Sequence, residues 1–331
     1  MRAIWLENQQ VSFEAEVEMP VPQPGQALIR VRLAGVCSTD LELMHGYYPF
    51  TGIPGHEFVG EVVDAPGSEE WVNARVVGEI NLACGICSSC LRGNPTHCTQ
   101  RKAIGIRDWN GAFAEYMILP VKNLHVVPEN VPDEAAVFTE PLAAAFEILQ
   151  QIPIAAQQSC LVIGAGRLGQ LIAQVLRLTG CKLQVVARHP QQRALLTQSG
   201  IACISEDEVE PGCLDIVVEA TGTPQGFYLA RKAVRPRGII ALKSTYRGDL
   251  TVNFSSIVVD EITLIGSRCG PFPLAIYSLA NGEVDPRGLI QASLPLEQGL
   301  QALDLAARPG GLKILINPLA HEMESSSAGL L

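Results

Sequence analysis

The chain has 331 residues, enough for two domains that each bury a hydrophobic core. Its formal net charge of −10 argues against nucleic acid or an acidic membrane surface as the main partner. Because no segment reaches the roughly 18 consecutive apolar residues of a membrane span, and the start MRAIWLENQQ lacks the apolar core of a signal peptide, we expect a soluble cytoplasmic protein.

The first part of the chain has the patterns of strands and turns. ALIRVRL, residues 27–33, alternates apolar and polar positions as a half-buried strand does. FVGEVVDAPG, ARVVGEI and GAFAEYMILP are further short runs bounded by Gly, Pro or Asn. From about Pro132 the sequence changes to an Ala- and Leu-rich helix. We therefore predict a mainly β domain over residues 1–131.

The second part alternates apolar runs with helical segments. The runs are CLVIG, KLQVVA, LDIVVEATG, GIIALKS and ITLIGS. Continuous apolar strands separated by helices indicate a parallel sheet covered on both faces. We predict an α/β domain over residues 132–267. Residues 268–331 then hold one amphipathic stretch, a last strand in LKILINP and a polar tail, HEMESSSAGLL, that we expect to be frayed.

A glycine-rich turn follows the first of these apolar strands. Gly164, Gly166 and Gly169 have G-x-G-x-x-G spacing, and apolar residues at helical spacing come next. The first glycine allows a tight turn, the second lets a pyrophosphate approach the backbone, and the third lets helix pack on strand. The helix N-terminus favours the anion. Strand, turn and helix together predict a dinucleotide site.

The end of the next strand bears on which dinucleotide binds. An acidic residue there would hold the ribose 2′-hydroxyl of NAD, but this chain has VVARHPQQR, with Arg188 and then Arg193 a turn later. A guanidinium can form a bidentate pair with a 2′-phosphate. We predict a preference for NADP, with NAD as the alternative; Arg188 stacking beside the adenine stays an open interpretation.

Four of the ten cysteines fall on one short segment, residues 84–98. Cys84, Cys87, Cys90 and Cys98 are spaced C-x2-C-x2-C-x7-C, whereas the other six are scattered. Four thiolates on one loop can close a tetrahedron around zinc with no open position, which is typical of a structural site. The usual iron–sulfur spacings differ. A reducing compartment fits this layout better than a disulfide framework.

These motifs together resemble the zinc-dependent medium-chain alcohol dehydrogenase family. GVCSTD, GHEFVGEVV, the cysteine quartet, GAFAEY, EPLAAA, LVIGAGRLG and DIVVEATG occur in the family's order. The residue before PLAAA is an acidic one, which is similar to the polyol and threonine dehydrogenase branch. The resemblance implies a GroES-like catalytic domain at 1–131, a Rossmann domain at 132–267 and a return to the catalytic domain from residue 268.

The resemblance also implies a second, catalytic zinc. Its ligands would be Cys37, His56 and a third residue from the segment leading into the cofactor domain, here Glu140. Glu57 is a neighbouring carboxylate that could bind the metal in place of water or of Glu140. Thiolate, imidazole and carboxylate suit Zn²⁺ and leave a position open for substrate. We therefore expect two zinc ions per chain.

The implied reaction is hydride transfer between a small alcohol or carbonyl substrate and the nicotinamide. Thr39 matches the family hydroxyl that carries the alcohol proton, and Asp40 matches a carboxylate that orients the histidine ligand. Many members continue the relay with a histidine five residues after the cysteine; this chain has Glu42 there, with His45 nearby. The end of the relay stays open between these two residues, and the aromatic residues do not identify the substrate.

Three other readings compete with a dehydrogenase. A non-catalytic protein on the same fold that senses NADP(H) or binds a partner would not need an open metal site. The zinc-free quinone and enoyl reductase branch lacks both the quartet and the GHE ligands. A nucleic-acid-binding zinc module would need a basic stripe. The apolar ITLIGS segment suggests sheet-to-sheet pairing between subunits, so we expect a homodimer or homotetramer.

Overall fold

The computed structural model describes residues 1–245 and 249–320; the predicted frayed tail at 321–331 lies outside the described residues. Contacts divide the chain into two compact units. The first comprises residues 1–138, 290–308 and the chain from Lys313, and the second comprises residues 139–289 and 309–312. The boundaries of these units differ from the domain boundaries after residues 131 and 267 that the sequence patterns predicted.

The first unit is mainly β in its N-terminal part. Its elements are β1 (Ala3–Glu7), β2 (Gln10–Glu14), β3 (Gln26–Gly35), α1 (Ser38–Met44), β4 (Glu57–Asp64), β5 (Arg75–Gly78), β6 (Asn81–Leu82), α2 (Ser88–Leu91), β7 (Lys102–Ala103), β8 (Tyr116–Pro120), β9 (Leu124–Val126) and α3 (Asp133–Ala136). Helix α3 packs on β3 and β4, which is why residues 132–138 belong to this unit.

The second unit alternates helices and strands, as the sequence predicts. Its elements are α4 (Thr139–Gln151), β10 (Ser159–Ile163), α5 (Arg167–Arg177), β11 (Lys182–Val186), α6 (Pro190–Gln198), β12 (Ala202–Ile204), β13 (Leu214–Glu219), α7 (Pro224–Ala233), β14 (Val234–Leu242), α8 (Phe254–Val259), β15 (Thr263–Gly266) and α9 (Phe272–Ala280). Helix α9 packs on α4, so the chain leaves this unit only after residue 289.

The sheet of the second unit is parallel throughout, in the order β12-β11-β10-β13-β14-β15. Numbered within the unit this is 3-2-1-4-5-6, the doubly wound dinucleotide-binding order. Its direction of winding reverses between β10 and β13, and ligands of such sheets bind at the carboxyl ends of the strands beside that point. Residues 160–163 of β10 are all buried, as expected for a strand covered on both faces.

The chain then returns to the first unit. Its last elements are β16 (Ile290–Pro295), α10 (Gly299–Ala307) and β17 (Lys313–Asn317). They extend a seven-stranded sheet in the order β16-β17-β3-β4-β5-β9, with β8 also paired to β3. Alternate residues of β3 are buried, the period-2 pattern that the sequence showed. In the described ranges, no helix has both the length and the apolar character needed to cross a bilayer.

Candidate metal and cofactor sites

The segment between β3 and α1 presents a thiol beside a carboxylate. Cys37 precedes α1 in an extended conformation, and its backbone N–H donates a 2.8 Å hydrogen bond to Oδ2 of Asp40. The backbone of Cys37, whose side chain is a candidate metal ligand, therefore holds the Asp40 carboxylate in place. The hydroxyl oxygen of Thr39 lies 3.9 Å from Cys37 Sγ.

His56 lies buried against the other oxygen of the same carboxylate. Its side chain is 3% exposed, and its Nδ1 is 3.3 Å from Oδ1 of Asp40. Burial opposes protonation of the imidazole, but the carboxylate of Asp40 and the thiol of Cys37 outweigh it, so the pKa of His56 is raised well above its usual value. A carboxylate behind one ring nitrogen orients the other nitrogen toward a metal.

Cys37, His56 and Glu57 form a candidate metal centre. One ligand atom from each of the three residues lies within 4.8 Å of the other two. A thiol, an imidazole and a carboxylate are the donor types that zinc takes in proteins, with bonds of about 2.0–2.3 Å. His56 and Glu57 are nearly inaccessible to solvent, so their polar atoms need partners inside the protein. These residues therefore fit a zinc ion.

A buried lysine that the sequence motifs do not indicate pairs with this site. Lys313, on β17, is 1% exposed; its Nζ contacts Oε2 of Glu57 and donates a 3.2 Å hydrogen bond to the carbonyl of Val36. The ammonium also lies 5.6 Å from the centre of the Phe138 ring. The available signal was a single lysine inside the apolar run LKILIN. The pairing partly neutralises Glu57 before any metal binds.

Glu140, the predicted third ligand, belongs to the second unit. It lies in the first turn of α4. Its role at the metal therefore stays a prediction, whereas Glu57 is the carboxylate that the first unit itself brings to Cys37 and His56.

The cysteine quartet gathers into one cluster. The Sγ atoms of Cys87 and Cys90 are 3.5 Å apart, those of Cys84 and Cys98 are 3.5 Å apart, and those of Cys87 and Cys98 are 3.8 Å apart. A tetrahedron of sulfurs with Zn–S bonds of about 2.3 Å has edges of about 3.8 Å. All four cysteines are free thiols. The cluster therefore fits a zinc ion without rearrangement.

Ionisation within the quartet is uneven. Backbone N–H groups of Cys90 and Thr99 lower the pKa of Cys87 to about 5. Desolvation and the adjacent Cys87 thiol raise the pKa of Cys90 to about 11. Crowded thiols resist joint ionisation because their negative charges repel, and a divalent cation removes that repulsion. The donor set is thus the one that a zinc ion would stabilise.

The glycine-rich turn has the geometry that a pyrophosphate needs. Gly164 has φ +102°, and a Cβ there would lie 2.8 Å from the carbonyl oxygen of Ala220. A Cβ on Gly169 would overlap the carbonyl oxygen of Gly164, so this glycine lets α5 pack against β10. A Cβ on Gly166, which precedes α5, would meet nothing within 4 Å. The open space lies at the helix N-terminus, where backbone N–H groups favour an anion.

The two predicted arginines have different environments. The side chain of Arg188 is 65% exposed, and its Nε contacts Oε1 of Glu206. Nη1 of Arg193 donates hydrogen bonds to the carbonyls of Ala187 and Ile204, at 3.0 and 3.3 Å. Arg193 therefore holds the loop after β11 to the end of β12. Arg188 is the guanidinium that solvent reaches.

Comparison with known proteins identifies the family. Residues 23–129 match the alcohol dehydrogenase GroES-like domain. D-arabinitol dehydrogenase 1 from Uromyces fabae is 30% identical to this chain, over 96% of this chain and 97% of that protein. The chain therefore belongs to the zinc-dependent medium-chain alcohol dehydrogenase family.

Solved structures confirm the predicted fold class. A zinc-binding dehydrogenase from Sinorhizobium meliloti 1021 bound to NADP has a TM-score of 0.89 and 26% identity, over 96% of this chain and 99% of that chain. The alcohol dehydrogenase RspB from Escherichia coli CFT073, complexed with NADH, has a TM-score of 0.88 and 27% identity, over the same shares. Relatives with this fold thus include one bound to each nicotinamide cofactor.

Proposed function

We propose that this protein interconverts an alcohol and a carbonyl group of a small polyhydroxylated substrate, at a zinc held by Cys37, His56 and a carboxylate from Glu57 or Glu140. Family membership makes the chain an NAD(P)-dependent oxidoreductase acting on CH–OH groups. The observation that carries the zinc assignment is the convergence of Cys37, His56 and Glu57 within 4.8 Å. A zinc ion bound there would supply a Lewis acid for the substrate oxygen, and the nicotinamide would accept the hydride in alcohol oxidation or donate it in carbonyl reduction.

The protein's own residues prepare this chemistry. One carboxylate oxygen of Asp40 orients His56. The other accepts a hydrogen bond from the Cys37 N–H and so fixes the backbone that carries the thiol ligand. The Thr39 hydroxyl accepts the proton that the alcohol loses and donates its own toward solvent; its position 3.9 Å from Cys37 Sγ supports this role. Lys313 holds Glu57 by an ion pair, which leaves that carboxylate available at the metal without an uncompensated negative charge.

Metal analysis tests the zinc assignment. We expect about two zinc ions per chain in the purified protein, and about one in a Cys37→Ser variant, with loss of turnover. Cys213→Ser is the matched control because Cys213 is exposed and lies outside both clusters. Two zinc ions retained by an inactive Cys37→Ser variant would contradict the assignment.

We assign the cofactor preference to NADP, with Arg188 as the residue that recognises the 2′-phosphate. The exposed guanidinium after β11 supports this, because it can exchange its contact with Glu206 for a bidentate pair with the phosphate. Arg188→Ala should raise the KM for NADP(H) and leave the KM for NAD(H) little changed. A wild-type enzyme with a clear kinetic preference for NAD(H) would overturn the assignment.

The homologues favour catalysis over a non-catalytic NADP(H) sensor on the same fold. The metal-ligand set supports the same choice, because a sensor has no use for an open zinc position. Oxidation of NADPH by small aldehydes, ketones and keto-sugars separates the two. A sensor would bind NADPH without consuming it in the presence of any of these carbonyl compounds.

For the assembly we propose a homodimer, or a homotetramer made of two such dimers, with the chains of each dimer joined through the second unit. Strand β15 is an edge strand, and α8 beside it exposes Phe254, Val258 and Val259 at 66%, 73% and 78%. Exposed apolar side chains next to an unpaired strand edge suit self-association. Light scattering should give a dimer or tetramer for the wild type and a smaller species for Val258→Asp. A monomeric wild type would contradict this proposal.

A further inference from the structure

The first unit contains a cavity that the proposed chemistry does not use. Its volume is about 410 Å³, within the range of about 300–1,000 Å³ that is usual for small-molecule sites. Its walls are the turn between β1 and β2, with Asn8 and Gln9, and the loop after α1, with Tyr48 and Thr51. Leu43 of α1, 1% exposed, also lines it.

Backbone strain in the hairpin points to a role for Gln9. Asn8 and Gln9 form the two-residue turn of the hairpin, with φ of +50° and +64°. Such turns favour Asn followed by Gly, because both central residues need positive φ. Glutamine in the second position costs stability that glycine would not. Strained non-glycine residues cluster where function requires their side chain.

The side chain of Gln9 has a defined place in the cavity wall. A Cβ on Gly46 would lie 3.1 Å from the amide carbon of Gln9, so the amide lies over Gly46. Reciprocal hydrogen bonds of 2.8 and 2.9 Å between Leu6 and Gly52 tie the hairpin to the loop after α1. The strained turn is thus held against the loop, and the Gln9 amide lies beside Gly46, which also lines the cavity.

The chemistry of the walls selects a neutral, hydroxylated ligand. The described residues that line the cavity include no Asp, Glu, Lys, Arg or His. The amides of Asn8 and Gln9 and the hydroxyl of Thr51 both donate and accept, which matches a hydroxyl group that also does both. Tyr48 and Phe50 supply apolar surface for the carbon chain between hydroxyls. A phosphate or carboxylate would find no cation among these wall residues; the guanidinium of Arg107, 5.7 Å from the centre of the Tyr48 ring, is not part of the lining.

Helix α1 carries both a residue that lines the cavity, Leu43, and a proposed catalytic residue, Thr39. Leu43 follows Thr39 by four residues, so the two side chains lie on one helix face, about 5–6 Å apart at their Cβ atoms. We infer that this cavity binds the distal hydroxyl groups of the substrate, with the Gln9 amide as a specificity determinant, and that the substrate is an uncharged polyol or keto-sugar. This inference rests on the proposed function and narrows its substrate class.

Gln9→Gly tests the inference because it removes the amide and also relieves the strained backbone. Losing one hydrogen bond of about 0.5–1.5 kcal/mol should raise the KM for D-arabinitol by about 2- to 12-fold at unchanged kcat. 1,2-Propanediol lacks the distal hydroxyl groups that the Gln9 amide would bind, so its KM should not change. Gln10→Ala, at the next residue of the same hairpin, is the control and should match the wild type.

Saturation-transfer NMR with D-arabinitol, in the absence of nicotinamide, gives a readout that does not depend on turnover. We expect a transfer signal from the wild type to D-arabinitol and a weaker signal from Gln9→Gly. Equal KM changes for the long and short substrates, or faster turnover of the same polyol carrying a terminal phosphate, would overturn the inference. A wild type that oxidises neither compound would refute the proposed function, and the NMR contact would still decide for or against the cavity.

Discussion

The ion pair between Lys313 and Glu57 leads to a quantitative prediction about stability. Both side chains are almost fully buried, at 2% and 1% exposure. Lys313→Met keeps the apolar stem and removes the ammonium, so Glu57 is left as a buried carboxylate without its cation. Removing one partner of a buried pair costs about 3–5 kcal/mol. That range corresponds to a roughly hundredfold to several-thousandfold larger unfolding constant.

Chemical denaturation of the zinc-depleted protein measures this cost. We expect the midpoint to fall while the slope stays unchanged, since the variant exposes the same surface on unfolding. Glu57→Gln combined with Lys313→Met replaces both charges by neutral groups, and it should recover more than half of the loss. Lys122→Met removes an exposed lysine of the same unit and should change stability by less than about 0.5 kcal/mol.

Zinc should reduce the defect, because a divalent cation gives the freed carboxylate another positive partner. The stability difference between Lys313→Met and wild type should therefore be smaller in zinc-loaded protein than in protein treated with a chelator. A single variant as stable as the wild type without zinc, or a double variant no better than the single one, would refute the reasoning that the pair is a coupled buried interaction.

Three further predictions concern other parts of the molecule. Gly169→Ala should lower stability and abolish NADPH binding in a fluorescence titration, because its Cβ would overlap the carbonyl of Gly164; unchanged binding would contradict this. In zinc-free protein at pH 7, mass spectrometry should find Cys87, with its pKa of about 5, alkylated before Cys90, whose pKa is about 11, and zinc should protect both. Burial lowers the pKa of Lys243 from 10.5 to about 8. Between pH 8 and pH 10.5 the unfolded chain therefore binds more protons than the folded chain, so the free energy of unfolding should rise with pH, by up to about 3 kcal/mol. Lys243→Met should abolish that rise in denaturation midpoints measured from pH 8 to 10.5, and an equal rise in the variant would exclude Lys243 as its source.

The sequence alone determined those features that depend on local spacing. The glycine-rich turn lies within six residues of one strand–helix junction, so its geometry follows from the need for positive φ at Gly164 and for close packing at Gly169. The cysteine quartet lies on one segment, and the 3.5–3.8 Å sulfur contacts confirm that its spacing brings the thiols together. Continuous apolar runs likewise predicted the parallel sheet correctly, because strands buried on both faces need no polar positions.

Only the tertiary structure decided which partners the buried charges have. Lys313 and Glu57 are 256 residues apart, and neither the spacing nor the composition of LKILIN indicates where its ammonium lies. Arg188 and Arg193 look equivalent in VVARHPQQR, yet Nη1 of Arg193 bonds to two backbone carbonyls while Arg188 faces solvent. A buried charge must be paired wherever the fold places it, and that placement results from the packing of distant strands rather than from neighbours in the chain.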